Sequence, residues 1–238
     1  MATQIQIGEI TADVVQKPIK NVHLSVYPPL GKVRIAAPLR MGLDTIRVFA
    51  LSKLAWIRKQ QEKLRAQERE TPREYSDRES HYYRGRRYLL KVVEHDGVPG
   101  VELKHSKLIL RVRPSADEAK RQSVIDEWYR QRLKDEIAPL LAKWEKTMGV
   151  SAGRVRVQKM KTRWGSCNPL AKSILINLEL AKKPGECLEY IVVHELAHLL
   201  EPTHNSRFSA LMDRHLPKWR FIREELNRLP VRHERWGY

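Results

Sequence analysis

The segment 192–208 reads VVHELAHLLEPTHNSRF; it sets His194 and His198 four residues apart, Glu195 between them, and His204 six further on. A helix turns by about 100° per residue, so His194 and His198 project about 40° apart from one face. Two imidazoles placed in this way can grip one zinc ion at about 2.0–2.1 Å. Glu195 follows the first of them directly. It is positioned to reach a metal-bound water rather than the metal, which is the place of a general base.

Zinc chemistry of this kind needs a third protein ligand and an open position. His204 is the expected third ligand. On a continuing helix it would face away, about 240° round from His198. Pro202 disfavours helical backbone at the residue before it, so the helix is expected to end near Leu200 or Glu201, and the chain can then turn back under the metal. Glu201 competes, because seven residues after His194 returns to the same face, but it lies about 10.5 Å further along the axis. Cys167 is a further sulfur donor, read first as a small packed thiol.

The helix that carries these residues is apolar elsewhere: Tyr190, Ile191, Val192, Val193, Leu196, Ala197, Leu199 and Leu200. Two histidines and a glutamate in such a run are costly to bury without a partner, which favours a metal over two surface histidines.

The chain of 238 residues is long enough for one large domain or two small ones. No stretch has the length of a membrane span, and the start, MATQIQIGEI, has neither a basic nor an apolar signal region. Two cysteines, Cys167 and Cys187, are too few for a disulfide framework, and a cytoplasmic location is expected. The net charge of +17 is spread along the chain and suits a polyanion without saying which. Residues 151–183 hold eight basic side chains against Glu179 alone and lead into the histidine helix. A solvated basic face is the first reading of that run; nucleic acid or an acidic substrate is the second.

Around this segment, alternation at Val22, Leu24 and Val26 and again at Val33, Ile35 and Ala37 predicts a hairpin with PPLG as its turn. Asp44 is the expected cap of a helix carrying Ile46, Phe49, Ala50, Leu54 and Ile57. The charged run after it leads to an exposed connector, TPREYSDRES. Strands are expected at Tyr88–Val92, Val101–Leu103 and Leu108–Val112, then a long helix over 116–147. Two strands follow, one beginning at Val155 and Val157 and one at 173–179, joined by the turn-rich loop WGSCNPLAK. A last helix after His204 ends before HLPKW. No internal repeat is visible. The expected division is 1–114, a β-rich module with one inserted helix, and 115–238, the domain that carries the site.

TRWGSCNPLAKSILINLEL, PGECLEYIVVHELAHLLEPTHNSRF and HLPKWR together resemble the YgjP-like metallopeptidase family, related to the SprT-like zincins, most closely over about 150–225. The resemblance implies an α+β fold with a zincin-like core, a small twisted sheet beside an active-site helix. It maps zinc ligands onto His194, His198 and His204 and the catalytic glutamate onto Glu195. In zincins an edge strand along the cleft pairs with an extended peptide; strand 173–179 is expected to fill that role, with Asn177 and Arg163 at the substrate. Glu201 stands where metzincins carry a glycine, which favours the SprT-like side. Arg163, His215 and Asn205 are the open choices for stabilising the oxyanion.

Zinc-dependent peptide hydrolysis is the leading expectation, with a protein or peptide as substrate and zinc as cofactor. A nucleoside-triphosphate pyrophosphatase is a second hydrolase reading, weakened by the lack of a glycine-rich phosphate loop. A DNA-associated accessory protein that keeps the metal site is the alternative from another class, supported by the basic surface.

Overall fold

The computed structural model describes residues 3–27, 31–66, 73–160 and 163–229. These form a mixed α+β protein that divides into two compact units, one up to residue 66 and one from 73 to 229.

The first unit opens with β1 (Thr3–Ile7), β2 (Ile10–Lys17), β3 (His23–Tyr27) and β4 (Lys32–Pro38). They form one sheet in the order β1-β2-β4-β3, with β2 and β4 parallel and both outer pairs antiparallel. The alternation at Val33, Ile35 and Ala37 puts all three in the core with Ile5, Ile7, Ala12 and Val14. The expected turn residues 28–30 lie outside the described residues. The helical run after β4 is two helices, α1 (Leu43–Ser52) and α2 (Leu54–Ala66). Gly42 rather than Asp44 caps α1; Asp44 sits in the first turn, where its charge suits the positive helix end.

The second unit begins with β5 (Ser80–Tyr83), β6 (Arg86–Glu94), β7 (Gly100–Lys104) and β8 (Lys107–Val112), in the order β5-β6-β8-β7. Its pairing repeats the first sheet: an antiparallel outer pair, a parallel centre and an antiparallel outer pair. The repeat is one of topology and leaves no readable trace in the sequence. Leu90, Leu108, Leu110 and Val112 from this sheet share one core with the long helix and with the site region. The boundary expected at 114/115 therefore falls inside the second unit.

The long helix α3 (Glu118–Met148) starts at Asp117, whose side chain accepts from the Lys120 N–H at 2.7 Å. It ends at Gly149, left-handed at φ 68°, a conformation glycine adopts without Cβ strain. Its buried face, Ile125, Tyr129, Leu133, Ile137 and Trp144, recurs at three to four residues as a core-facing helix requires.

A three-stranded sheet follows: β9 (Arg154–Gln158), β10 (Gly165–Asn168) and β11 (Ser173–Asn177), in the order β10-β11-β9. Half of the segment read as a loop is thus a strand. Gly165–Asn168 pairs antiparallel with β11, and the turn 169–172 is closed by the Asn168 carboxamide accepting from the Ala171 N–H at 3.1 Å. A short 3-10 helix, Leu178–Lys182, leads into α4 (Gly185–Ala197). Helices α5 (Ser206–His215) and α6 (Trp219–Arg228) close the unit. No described helix is long and apolar enough to cross a membrane.

Candidate metal centre

Helix α4 is apolar nearly all round, and a helix of that kind belongs in an interior. Cys187, Leu188, Tyr190, Ile191, Val192, Val193, Leu196 and Ala197 are all buried on it. That packing sets the axis from which His194 and Glu195 project. The helix ends at Ala197, with His198 as its cap, and Leu200 and Glu201 close the last turn onto Ala197. The chain then turns through Pro202 and Thr203 in non-helical backbone.

This turn brings His204 back to the helix. Its Nε2 lies 3.0 Å from Nε2 of His194. One ligand atom from each of His194, His198 and His204 lies within 4.8 Å of the others. Two nitrogens on a tetrahedral zinc at 2.0–2.1 Å stand about 3.3 Å apart, so the spacing fits a shared cation. Nδ1 of His198 lies 3.1 Å from the backbone carbonyl of Glu201, an acceptor that fixes the proton on Nδ1 and leaves the Nε2 lone pair for a metal. The carboxylate of Glu201 accepts from the Thr203 hydroxyl at 3.0 Å instead.

Phe208 is the common floor. Its ring centroid is 4.9, 4.7 and 4.8 Å from those of His194, His198 and His204, and the ring is buried. It is held there by the start of α5, where the Asn205 side chain accepts from the Phe208 N–H at 3.0 Å. Burial, with His198 and His204 alongside, pushes His194 down to about 3; burial also lowers His198. Both rings are therefore neutral at ordinary pH, the form that binds metals.

Glu195 is buried, and burial pushes its carboxyl up to about 8 against the pull of Arg163. Its side chain lies on Gly165. A Cβ at that position would stand 2.8 Å from both Cγ and Cδ of Glu195, closer than real Cβ atoms approach. Only glycine lets β10 and the glutamate come together in this way. Cys167, two residues on in β10, also lines the cleft; burial and the nearby Glu195 push its thiol up to about 11, which keeps it a thiol.

The cleft of about 590 Å³ is lined by Arg163, Gly165, Cys167, Tyr190, Glu195 and the three histidines, together with Arg223 of α6. Two expectations change here. Strand β11 ends at Asn177 and is the centre of its sheet, so it cannot be the open edge; β10 is the edge. Trp164 O already accepts from Asn177 N at 2.9 Å. By antiparallel alternation Ser166 and Asn168 also face β11, which leaves the backbone groups of Gly165 and Cys167 directed outward. Asn177 is buried rather than open to substrate. Its amide donates to Met160 O at 2.9 Å and Arg163 O at 2.7 Å, tying down the loop before β10. Arg163 is exposed and lines the cleft.

The basic run 151–183 is not one surface. Lys182 and Lys183 are buried, Lys182 against Glu179 at 2.6 Å and Lys183 over the Trp164 ring, and Lys159 pairs with Asp126. Lys161 lies outside the described residues.

Gly165 was not singled out, although an isolated glycine in a strand marks a close backbone approach; from the sequence Phe208 reads as part of the helix after His204, not as a floor beneath the histidines. Arg223 comes from α6, a helix that was not expected although Trp219, Ile222 and Leu226 recur on it at helical spacing.

A family model, YgjP-like metallopeptidase domain, matches residues 20–229. The chain belongs to the YgjP-like metallopeptidase family. The match takes in the cleft, the histidines and most of the first unit. Among solved structures, the crystal structure of the metallopeptidase zymogen of Pyrococcus abyssi abylysin is similar over 40% of this chain and 90% of its own, at 23% identity and a TM-score of 0.35. No curated protein matches this YgjP-like metallopeptidase by sequence.

Proposed function

We propose that this metallopeptidase is zinc-dependent, with His194, His198 and His204 as the ligands and Glu195 as the general base for peptide-bond hydrolysis. The observation that carries the reading is the convergence of three imidazoles with a buried carboxylate beside them. Three imidazole nitrogens with an open side are a set that zinc favours for catalysis. Zinc, when bound, supplies a Lewis acid and brings the pKa of a coordinated water to about 7.

The chain's own residues do the rest. Glu195 accepts a proton from the attacking water and hands it to the leaving amine. In the metal-free protein burial favours its protonated form; a cation at the histidines favours the carboxylate that the role requires. Gly165 keeps Glu195 in place, and the Glu201 carbonyl holds the His198 tautomer. The outward backbone groups of Gly165 and Cys167 on β10 can pair with an extended peptide, aligning it along the cleft.

Replacing Glu195 with Gln tests the assignment. The variant should keep its zinc and lose hydrolysis of labelled casein by at least ~10²-fold, the usual scale for a general base. Turnover equal to that of the wild type would remove Glu195 from the mechanism.

A further inference from the structure

Tyr190 lies one helical turn before His194, on the same face of α4. It keeps only 3% of its surface, and it lines the cleft. Its hydroxyl makes no hydrogen bond among the described residues, yet it is not among the fully enclosed polar atoms without a partner. The hydroxyl therefore holds part of the small surface that Tyr190 retains, and the residue lines the cleft. A phenol this deeply buried normally finds a partner for its O–H, and with no protein partner among the described residues the Tyr190 hydroxyl is free to donate to a ligand in the cleft.

The ring cannot swing away to find another partner. His194 meets it edge-on at 5.7 Å, and Trp219 lies nearly parallel to it, at 12° and 6.5 Å. Trp219 is itself held by its N–H donating to Asp213 at 2.8 Å. Of the three residues that the sequence left open for this task, two are engaged elsewhere. Asn205 caps α5, and His215 sets its ring against Trp144 at 6.4 Å, away from the cleft lining. Arg163 lies in the cleft, but it is exposed, and a solvated guanidinium is a less fixed donor than a walled phenol.

We propose that the Tyr190 hydroxyl is the protein's hydrogen-bond donor to the carbonyl oxygen of the peptide bond under attack. The inference rests on the peptidase reading above. Water oxygen adds to the carbonyl carbon, the C=O π pair moves onto the oxygen, and Tyr190 donates to that oxygen without giving up its proton. Glu195 takes one proton from the water and delivers it to the amide nitrogen as the C–N bond breaks, leaving a carboxylic acid and an amine. A fixed donor meets the charge where it develops, so its effect belongs to kcat rather than to substrate binding.

The test compares Tyr190→Phe and Arg163→Gln with the wild type, all zinc-loaded, on labelled casein and by calorimetric titration with a phosphinic pseudopeptide. The phosphinate oxygens imitate the oxyanion and report the donor without turnover. Tyr190→Phe should lose about 10²–10³-fold in kcat with little change in KM. Its phosphinate affinity should weaken by a similar factor, while zinc content and thermal midpoint stay at wild-type values because the ring is kept. Unchanged kcat and phosphinate affinity would overturn the proposal, and so would a loss that follows zinc loss or falls on Arg163→Gln alone. If casein is not cleaved by the wild type, or is cleaved equally by Glu195→Gln, the peptidase reading fails instead; the phosphinate titration still decides whether Tyr190 binds an oxyanion.

Discussion

Gly165 and Glu195 touch: the glutamate side chain lies where a Cβ on residue 165 would be, 2.8 Å from its Cγ and Cδ. The edge strand β10 and helix α4 are fitted to each other at this point, and the glycine allows it. Gly165→Ala should push the carboxylate out of place while leaving the histidines untouched. Casein hydrolysis should fall by at least ~10-fold, since misplacing a catalytic group by about 1 Å can cost up to 10². Zinc content, read by elemental analysis, should remain that of the wild type. Full activity would show that the contact does not position Glu195.

The third ligand gives a paired prediction. His204→Ala removes a nitrogen that lies 3.0 Å from Nε2 of His194 and should weaken zinc binding strongly, because two remaining imidazoles hold the ion poorly. Glu201→Ala should change it little: the contact with His198 is made by the backbone carbonyl, and the carboxylate is turned to Thr203. Competition with a fluorescent chelator measures both affinities. Equal losses in the two variants would place Glu201 among the ligands.

Asn177 is expected to act on stability. Its amide ties the carbonyls of Met160 and Arg163, at 2.9 and 2.7 Å, to the end of β11. Asn177→Ala should destabilise the protein by about 2–3 kcal/mol, as a buried hydrogen-bonded polar group removed on one side does. Chemical denaturation measures the loss. A large rise in KM with no loss of stability would return Asn177 to the substrate.

The metal-free protein should respond to pH from both sides. Glu195 has its pKa raised to about 8 from 4.5, so its proton is held in the folded state and lost from the unfolded one between those values; stability from this group falls as pH rises from 4.5 to 8. His194 has its pKa lowered to about 3 from 6.5, so the unfolded state takes up a proton first; stability falls as pH drops from 6.5 towards 3. The two slopes oppose one another between 4.5 and 6.5, and the thermal midpoint should be highest there. Glu195→Gln removes the alkaline limb, so its midpoint should exceed that of the wild type more at pH 8.5 than at pH 5.5. Each kcal/mol moves the midpoint by roughly 2–4 °C in a chain of this size. Midpoint curves of the two proteins that run parallel across this range would contradict the burial of the carboxylate.

Most periodic elements were readable from the sequence, α6 excepted, and elements defined by their partners were not. The apolar run of α4 and the spacing of α3 carry their own helical signal, and Pro202 ends the first of them close to where its backbone rule predicts. Strands β1, β2 and β5 were missed, because pairing rather than any strong local pattern makes them strands. The same reason hid β10: Gly165–Asn168 contains a glycine and an asparagine, both poor strand formers, and is a strand because β11 lies beside it. That one miss moved the edge of the sheet and with it the strand that faces the cleft. The histidine grouping could be read because helix geometry alone brings His194 and His198 together. The floor under them, Phe208, is set by the capping of α5 and by tertiary packing.

The central assignment is tested most directly by titrating zinc into metal-free protein while following labelled casein hydrolysis in the wild type and in Glu195→Gln. The account predicts that wild-type activity rises in proportion to added zinc and stops at one ion per chain, while the variant binds the same single ion and stays at least ~10²-fold slower. Hydrolysis that is independent of zinc, or that returns equally in both proteins, would contradict it.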